Sequence, residues 1–232
     1  MKTLSHAVLL VIAILVPFEP IAFAQSAPPR HTVFRPFADL HGASLSGLDL
    51  SELNLQGADL HGADLHGANL SGANLTRAIL TNTNLSGADL SEADLSQANL
   101  SEAHLTDADL RGADLGGADL NRASLGVADL RGANLYRANL FGAFLNRANL
   151  SNANLSGADL RGAYLNWANL NNANLSRANL WGARLLEANL GFANLSRADL
   201  SVAILVRADL SGADLSKADL TGAILDGAIG YP

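Results

Sequence analysis

Cysteine is absent from all 232 residues, which excludes disulfides, thiolate metal sites and cysteine nucleophiles together. Proline is scarce: Pro17, Pro20, Pro28, Pro29, Pro36 and Pro232 are the only six, so none falls between Phe37 and Tyr231. A long proline-free stretch is what a chain needs when its backbone N–H groups must bond to neighbouring chain. Aromatic residues make up only 5% of the sequence, and none lies between Phe37 and Tyr136. The longest apolar run, Ala7–Val16, is ten residues and too short to span a bilayer. No glycine-rich phosphate loop stands out, and Gly116–Gly117 is not followed by the acidic pattern of a calcium-binding repeat.

What is present in quantity is leucine, alanine and Asp/Asn, at fixed spacing. Leucine stands at every fifth position from Leu40 to Leu225, 38 in a row. Two residues earlier sits alanine, and of the 39 such positions from Ala38 to Ala228 only Leu48, Leu53 and Thr83 differ. Between them lies Asp at 15 places and Asn at 14. On an α-helix five residues turn the chain by about 500°, so the leucines would form no stripe. A continuous strand would alternate them between faces. The unit therefore joins three extended residues, Ala and Leu inward and Asp/Asn outward, to a two-residue bend rich in Ser, Gly, Asn, Thr and Arg.

Corners of about 90° close a circuit in four units, or 20 residues, and the exceptions to the pattern fall into register at that spacing. Phe144, Tyr164, Arg184, Ile204 and Ile224 align in one column, His41 on His61 in a second, and Arg177, Arg197 and Lys217 in a third. The reading is an all-β solenoid of about nine and a half coils, roughly 4.8 Å apart and ~45 Å long. The run GADLHGADLHGANLSGANL and its continuation, Ala–(Asp/Asn)–Leu–x–x, resembles the pentapeptide-repeat family over about four-fifths of the chain. The resemblance implies a right-handed quadrilateral β-helix. Some members resemble DNA in shape and charge and protect DNA gyrase from quinolones, which implies a gyrase-binding DNA mimic as an alternative function for a cytoplasmic chain.

The chain divides into four parts. Residues 1–24 read as a secretory signal: Lys2, the apolar run, then Ala22–Phe23–Ala24 with cleavage between Ala24 and Gln25. Residues 25–36, which hold three prolines, read as a linker, residues 37–229 as the solenoid and residues 230–232 as a tail. Phe34 and Phe37 are expected to plug the first coil, with the oversized Leu48 and Leu53 beneath. No C-terminal helix follows the repeat, so Ile229, Tyr231 and Pro232 are expected to fold over the last coil, or a second molecule to cover it.

Charge is polarised along the repeat. Thirteen acids face Arg77 and Arg111 between Phe37 and Leu120, a balance of −11, whereas eight arginines face four acids from Asn121 to Leu200, a balance of +4. The repeated exposed acids lack the unlike environments that separate the pKa values of a catalytic pair, and no serine has a base assigned to it, so no enzyme activity and no cofactor is expected. His41, His61 and His66 with Asp64 are weak candidates for a transition-metal site, since imidazole and carboxylate suit Zn or Ni. Arg177, Arg197 and Lys217 form a candidate anion column that Asp199 and Asp219 are equally placed to neutralise.

The basic segment also holds a candidate interaction patch. Phe141 and Trp181 share one outward column, Phe144, Tyr164, Arg184, Ile204 and Ile224 another, Leu186 and Val206 a third, and Trp167 stands in a fourth. All border one side over about five coils, some 24 Å tall and several hundred Å², a size at which exposed apolar surface usually has a use. The expectation is a non-enzymatic, extracytoplasmic module that presents this surface to a protein partner or to a second copy of itself.

Overall fold

The computed structural model describes residues 36–231. Every bridge links a residue to the one twenty places on, always in parallel, from Asp39↔Asp59 to Asp209↔Ile229. One circuit therefore takes four pentapeptides and has four sides. Side I begins at Asp39, side II at Ser44, side III at Asp49 and side IV at Asn54. Among the described residues each side is bridged at a single residue, flanked by two-residue turns, so no longer strand forms.

Backbone bonding explains both the tight period and the lack of proline. Leu125 N–H donates to Phe144 O (2.7 Å) and Val127 N–H to Asn146 O (3.1 Å) in the next coil, while Asp129 N–H donates to Ala108 O (3.0 Å) in the previous one. Ala128 N–H closes the corner by donating to Leu125 O (3.1 Å). That corner needs a positive φ at its second residue, as in a type II turn. All positions from Phe37 to Gly227 in steps of five have it, 22 of them not glycine. Each such side chain accepts a left-handed conformation that costs about 1 kcal/mol or more.

Glycine at this position does a second job. The ring of Phe192 lies where a Cβ on Gly212 would stand, 2.7 Å from that point, so the bulky corner of one coil leans onto the bare corner of the next. Phe37 lies over Gly57 in the same way.

The core is a single column of leucine and alanine, buried from Leu40 to Leu210. Leu53 is accommodated there and Leu48 is half-buried. Thr83, the polar departure, is fully buried because its Oγ1 donates to Leu60 O at 2.7 Å.

Three expectations at the ends need correction. Leu215, Leu220 and Leu225 are only partly buried, because no further coil stacks on them among the described residues. Ile229 and Tyr231 stay exposed and do not cover them. The chain instead passes so close to the Leu210–Ser211 backbone at Gly230, with φ +73°, that no Cβ fits there. Phe37 is 76% exposed and lies along a corner, so it is not a plug; Phe34 lies outside the described residues. The signal segment with its Ala24–Gln25 cleavage site, all of the linker but Pro36, and Pro232 also lie outside them.

In a stack of nearest-neighbour coils, burying one charge should be costly in the middle and cheaper at the open end. Leu125→Asp, at a fully buried position, should lower unfolding free energy by more than ~4 kcal/mol, and Leu215→Asp by clearly less. Denaturant unfolding of both variants checks the inward assignment.

Candidate interaction face

Polar outward residues are more than a solvated surface. At all 29 Asp and Asn positions of the repeat, Oδ1 accepts the backbone N–H two residues on, the first N–H of the corner. This is an Asx turn, and either residue can make it because both carry the oxygen. Asparagine adds a donor that ties coils together: Asn134 Nδ2 donates to Asp114 Oδ1 (2.9 Å), and Asn154 Nδ2 to Asn134 Oδ1 (3.1 Å). The outward direction of Asp and Asn was legible from sequence; the corner cap was missed, although the rule that Asx side chains bond two residues on was the available signal.

At six of the capped aspartates, Asp94, Asp109, Asp159, Asp209, Asp214 and Asp219, the charged form is favoured. Asp109 and Asp159 are held below the ordinary carboxylate range, first by the side chains of Arg111 and Arg161. Asp209 is lowered by the Ser211 hydroxyl and N–H. Asp94 is lowered as well, although burial opposes the shift and is its largest single influence, outweighed by bonds from Ser96 and Thr76. The acids whose values move all move the same way, unlike an acid–base pair.

Side II breaks the rule. From His104 through Ser124, Phe144, Tyr164, Arg184 and Ile204 to Ile224, seven coils in succession lack the Asx residue. Elsewhere in the repeat only Ser44, Ile79 and Ile229 depart from it. Two of the uncapped corners are served from the coil before: Asn146 Oδ1 accepts Asn166 N–H at 3.2 Å, and Asn166 Oδ1 accepts Leu186 N–H at 3.1 Å.

In place of the caps stands a ladder of rings and guanidinium groups. Phe144 and Tyr164 stack at 5.0 Å with planes 18° apart, and the Arg184 guanidinium lies 4.9 Å from the Tyr164 centroid. At one corner Arg161 covers Phe141 at 5.5 Å, with Trp181 next in the same column. At the other corner Arg147 covers Trp167 at 5.6 Å, Trp167 Nε1 donates to Glu187 Oε2 (3.3 Å), and Arg207 pairs with Glu187 (3.2 Å). Trp181 is 52% exposed and Trp167 46%, with Phe141, Phe144, Arg184 and Ile224 also exposed. Tyr164, Leu186, Ile204 and Val206 are half-buried between them. All ten residues of the expected patch thus lie on side II or its two corners. Val202, exposed at a side II corner, belongs to the same surface and was missed; its column is the only signal.

The histidines are arranged differently from a metal site. His41 and His61 stack face to face at 5.0 Å, His61 Nδ1 lies 2.5 Å from Thr81 Oγ1, and His66 stands at the next corner. Among the described residues no three His, Asp or Glu side chains converge on a point that would hold an ion. No helix among them is long and apolar enough to cross a membrane.

Comparison with known proteins gives a consistent family. The model of the pentapeptide repeats family matches from residue 37 to 229 in overlapping copies. HetL, a pentapeptide repeat protein involved in heterocyst differentiation regulation in the cyanobacterium Nostoc sp. strain PCC 7120, is 39% identical over 86% of this chain and 91% of its own, with a TM-score of 0.47. A second pentapeptide repeat protein from Nostoc PCC 7120 is 45% identical over 33% of this chain and 64% of its own, with a TM-score of 0.33. Trypsin-treated QnrB1, a plasmid-mediated fluoroquinolone resistance protein, is 24% identical over 68% of this chain and 81% of its own, with a TM-score of 0.42. No curated protein sequence matches the chain.

The lowered aspartates set an acid limb. A carboxylate with a depressed folded pKa stabilises above its unfolded value and loses that contribution as pH falls through the folded value. Unfolding free energy should therefore be flat near neutrality and decline below about pH 4. The triple variant Asp109→Asn, Asp159→Asn, Asp209→Asn keeps Oδ1 for the caps and should flatten that decline, as read by thermal unfolding across pH.

Proposed function

The chain belongs to the pentapeptide-repeat family, and from that premise we propose that it is a non-enzymatic interaction rod. It winds as the right-handed quadrilateral β-helix that the family resemblance implies, in about nine and a half coils at twenty residues each, and side II is its docking face for a protein partner. The observation that carries this reading is the surrender of Asx caps on that side alone over seven coils. A net hydrogen bond contributes about 0.5–1.5 kcal/mol, so the five corners of side II that keep no side-chain cap together give up several kcal/mol. In exchange the side presents Trp, Tyr and Arg, the types that most often anchor interfaces, stiffened by mutual stacking.

The working compartment in this proposal is extracytoplasmic. Support comes from the Ala7–Val16 run followed by Ala22–Phe23–Ala24, the pattern of an exported precursor. The mature protein then begins at Gln25 and is periplasmic or secreted. Cell fractionation with N-terminal sequencing should find it outside the cytoplasm starting near Gln25, and an uncleaved cytoplasmic product would overturn the placement.

The face itself is tested by Tyr164→Ala with Trp167→Ala. Both side chains project outward, so circular dichroism and melting should change little. Partner capture from the extracytoplasmic fraction, or self-association measured by native mass, should be lost. Retention of the same captured proteins at the same mass would show that side II is not the site.

A further inference from the structure

Side II with its two corners changes character along the rod. From Asn121 onward it carries the rings and arginines described above, whereas from His41 to Asp107 it is a bare shelf. A Cβ on Gly42, Gly47, Gly62 or Gly67 would meet nothing within 4 Å. Charge divides the same way. The shelf holds three acids, Asp64, Glu102 and Asp107, and no arginine or lysine, while Arg122, Arg147 and Arg184 stand on the bulky part. All six are exposed, and none forms an ion pair among the described residues. Asp64 Oδ1 accepts His66 N–H (3.1 Å) and Asn84 Nδ2 (3.0 Å), and Arg147 and Arg184 lie over Trp167 and Tyr164. The other two arginines of this surface, Arg161 and Arg207, are already paired with Asp159 and Glu187.

We propose that side II docks on side II of a second copy running antiparallel, in an isologous dimer; this rests on the reading of side II as the docking face and names its partner. A two-fold axis crossing the rod at Ser124 lays each column onto the same column of the second copy in reverse. Arg184 and Asp64 stand three coils either side of Ser124, so each faces the other across the interface. Arg147 and Asp107 stand one coil either side of Val127, in the same coil as Ser124, so the same axis joins them as well. It also sets Trp167 over bare Gly87 and Val202 over bare Gly42. At the axis Arg122 meets its own counterpart, with Glu102 of the second copy one coil away.

Register and direction are both specified by charge. A slip of one coil either way faces Arg184 with Ser44 or Asn84, and Arg147 with Gly87 or Val127, so both pairs are lost together. Parallel packing about an axis along the rod sets Arg184 against Arg184 and Asp64 against Asp64, which like charge disfavours. The antiparallel overlap runs from Ser44 to Ile204, nine coils. At about 4.8 Å per coil and a width of about 15 Å with the corners, roughly 1,300 Å² is buried in total, the size of a standard specific interface.

The test is a charge cross on the full chain, read by sedimentation velocity and native mass, with circular dichroism to confirm the fold. The unaltered chain should sediment as a dimer. Arg184→Asp places carboxylates face to face at two points of the interface, and Asp64→Arg places guanidinium groups there, so each variant alone should lose at least tenfold in dimer affinity. Mixed in equal amounts, the two variants should dimerise again, because every facing pair is then of opposite charge. Arg147→Asp and Asp107→Arg, one coil from the axis, repeat the cross at a second place. A monomeric unaltered chain, single variants that dimerise as well as it does, or a mixture that stays monomeric would overturn the proposal. A monomeric chain whose Tyr164→Ala, Trp167→Ala variant loses capture of another protein removes the dimer and leaves the side II reading standing. A dimer that neither this variant nor either cross weakens removes both.

Discussion

The bond from an Asx side chain to the first N–H of each corner is the interaction on which the rest depends. A pentapeptide circuit turns sharply four times in twenty residues, and each turn exposes a backbone donor that the next coil cannot reach. An oxygen two residues earlier satisfies it from within the same unit, leaving the other N–H groups for the coils above and below. With the corners closed locally, alanine and leucine meet at the axis, and the core becomes a column that can be extended one coil at a time. Bulk at the positive-φ corners is absorbed by glycine in the adjoining coil, as at Phe192 and Gly212.

This constraint also separates what is free from what is not. Because Asp and Asn cap equally, net charge along the rod can vary without disturbing a corner. The chain uses that freedom, acidic before Leu120 and basic between Asn121 and Leu200. Removing the Asx residue altogether is different, since a corner donor then needs another partner. Asn146 and Asn166 supply one for two corners of side II. Those two corners are thereby closed without an Asx residue of their own.

Much of this was legible in the residues. The register of twenty followed from the alignment of Phe144, Tyr164, Arg184, Ile204 and Ile224, and the bridges reproduce it. The inward leucines and the membership of one surface by Trp167, Tyr164 and Trp181 followed from the same spacing. What escaped were matters of direction within a coil. Phe37 was expected to turn over the open end, but its corner backbone sends the ring sideways onto Gly57. Leu215 through Leu225 share the pattern of buried leucines, and only the missing neighbour on one side distinguishes them. Asp199 and Asp219 stand beside cations in sequence, yet each turns its Oδ1 to a short-range cap and forms no ion pair among the described residues. Local geometry of a few ångströms decided each case, and residue spacing does not encode it.

The central claim is that the Asx cap stabilises each corner that carries it and that side II forgoes it from His104 to Ile224. The most direct measurement is reciprocal exchange on opposite sides of the coil, side IV and side II, with unfolding free energy as the readout. Asn194→Ile removes the cap on Ser196 and should lower stability by about 1 kcal/mol or more. Ile204→Asn restores the residue that would cap Val206 on side II and should raise it by about the same amount. If both exchanges destabilise equally, or if Asn194→Ile changes nothing, the cap is not what holds the corners and the account fails.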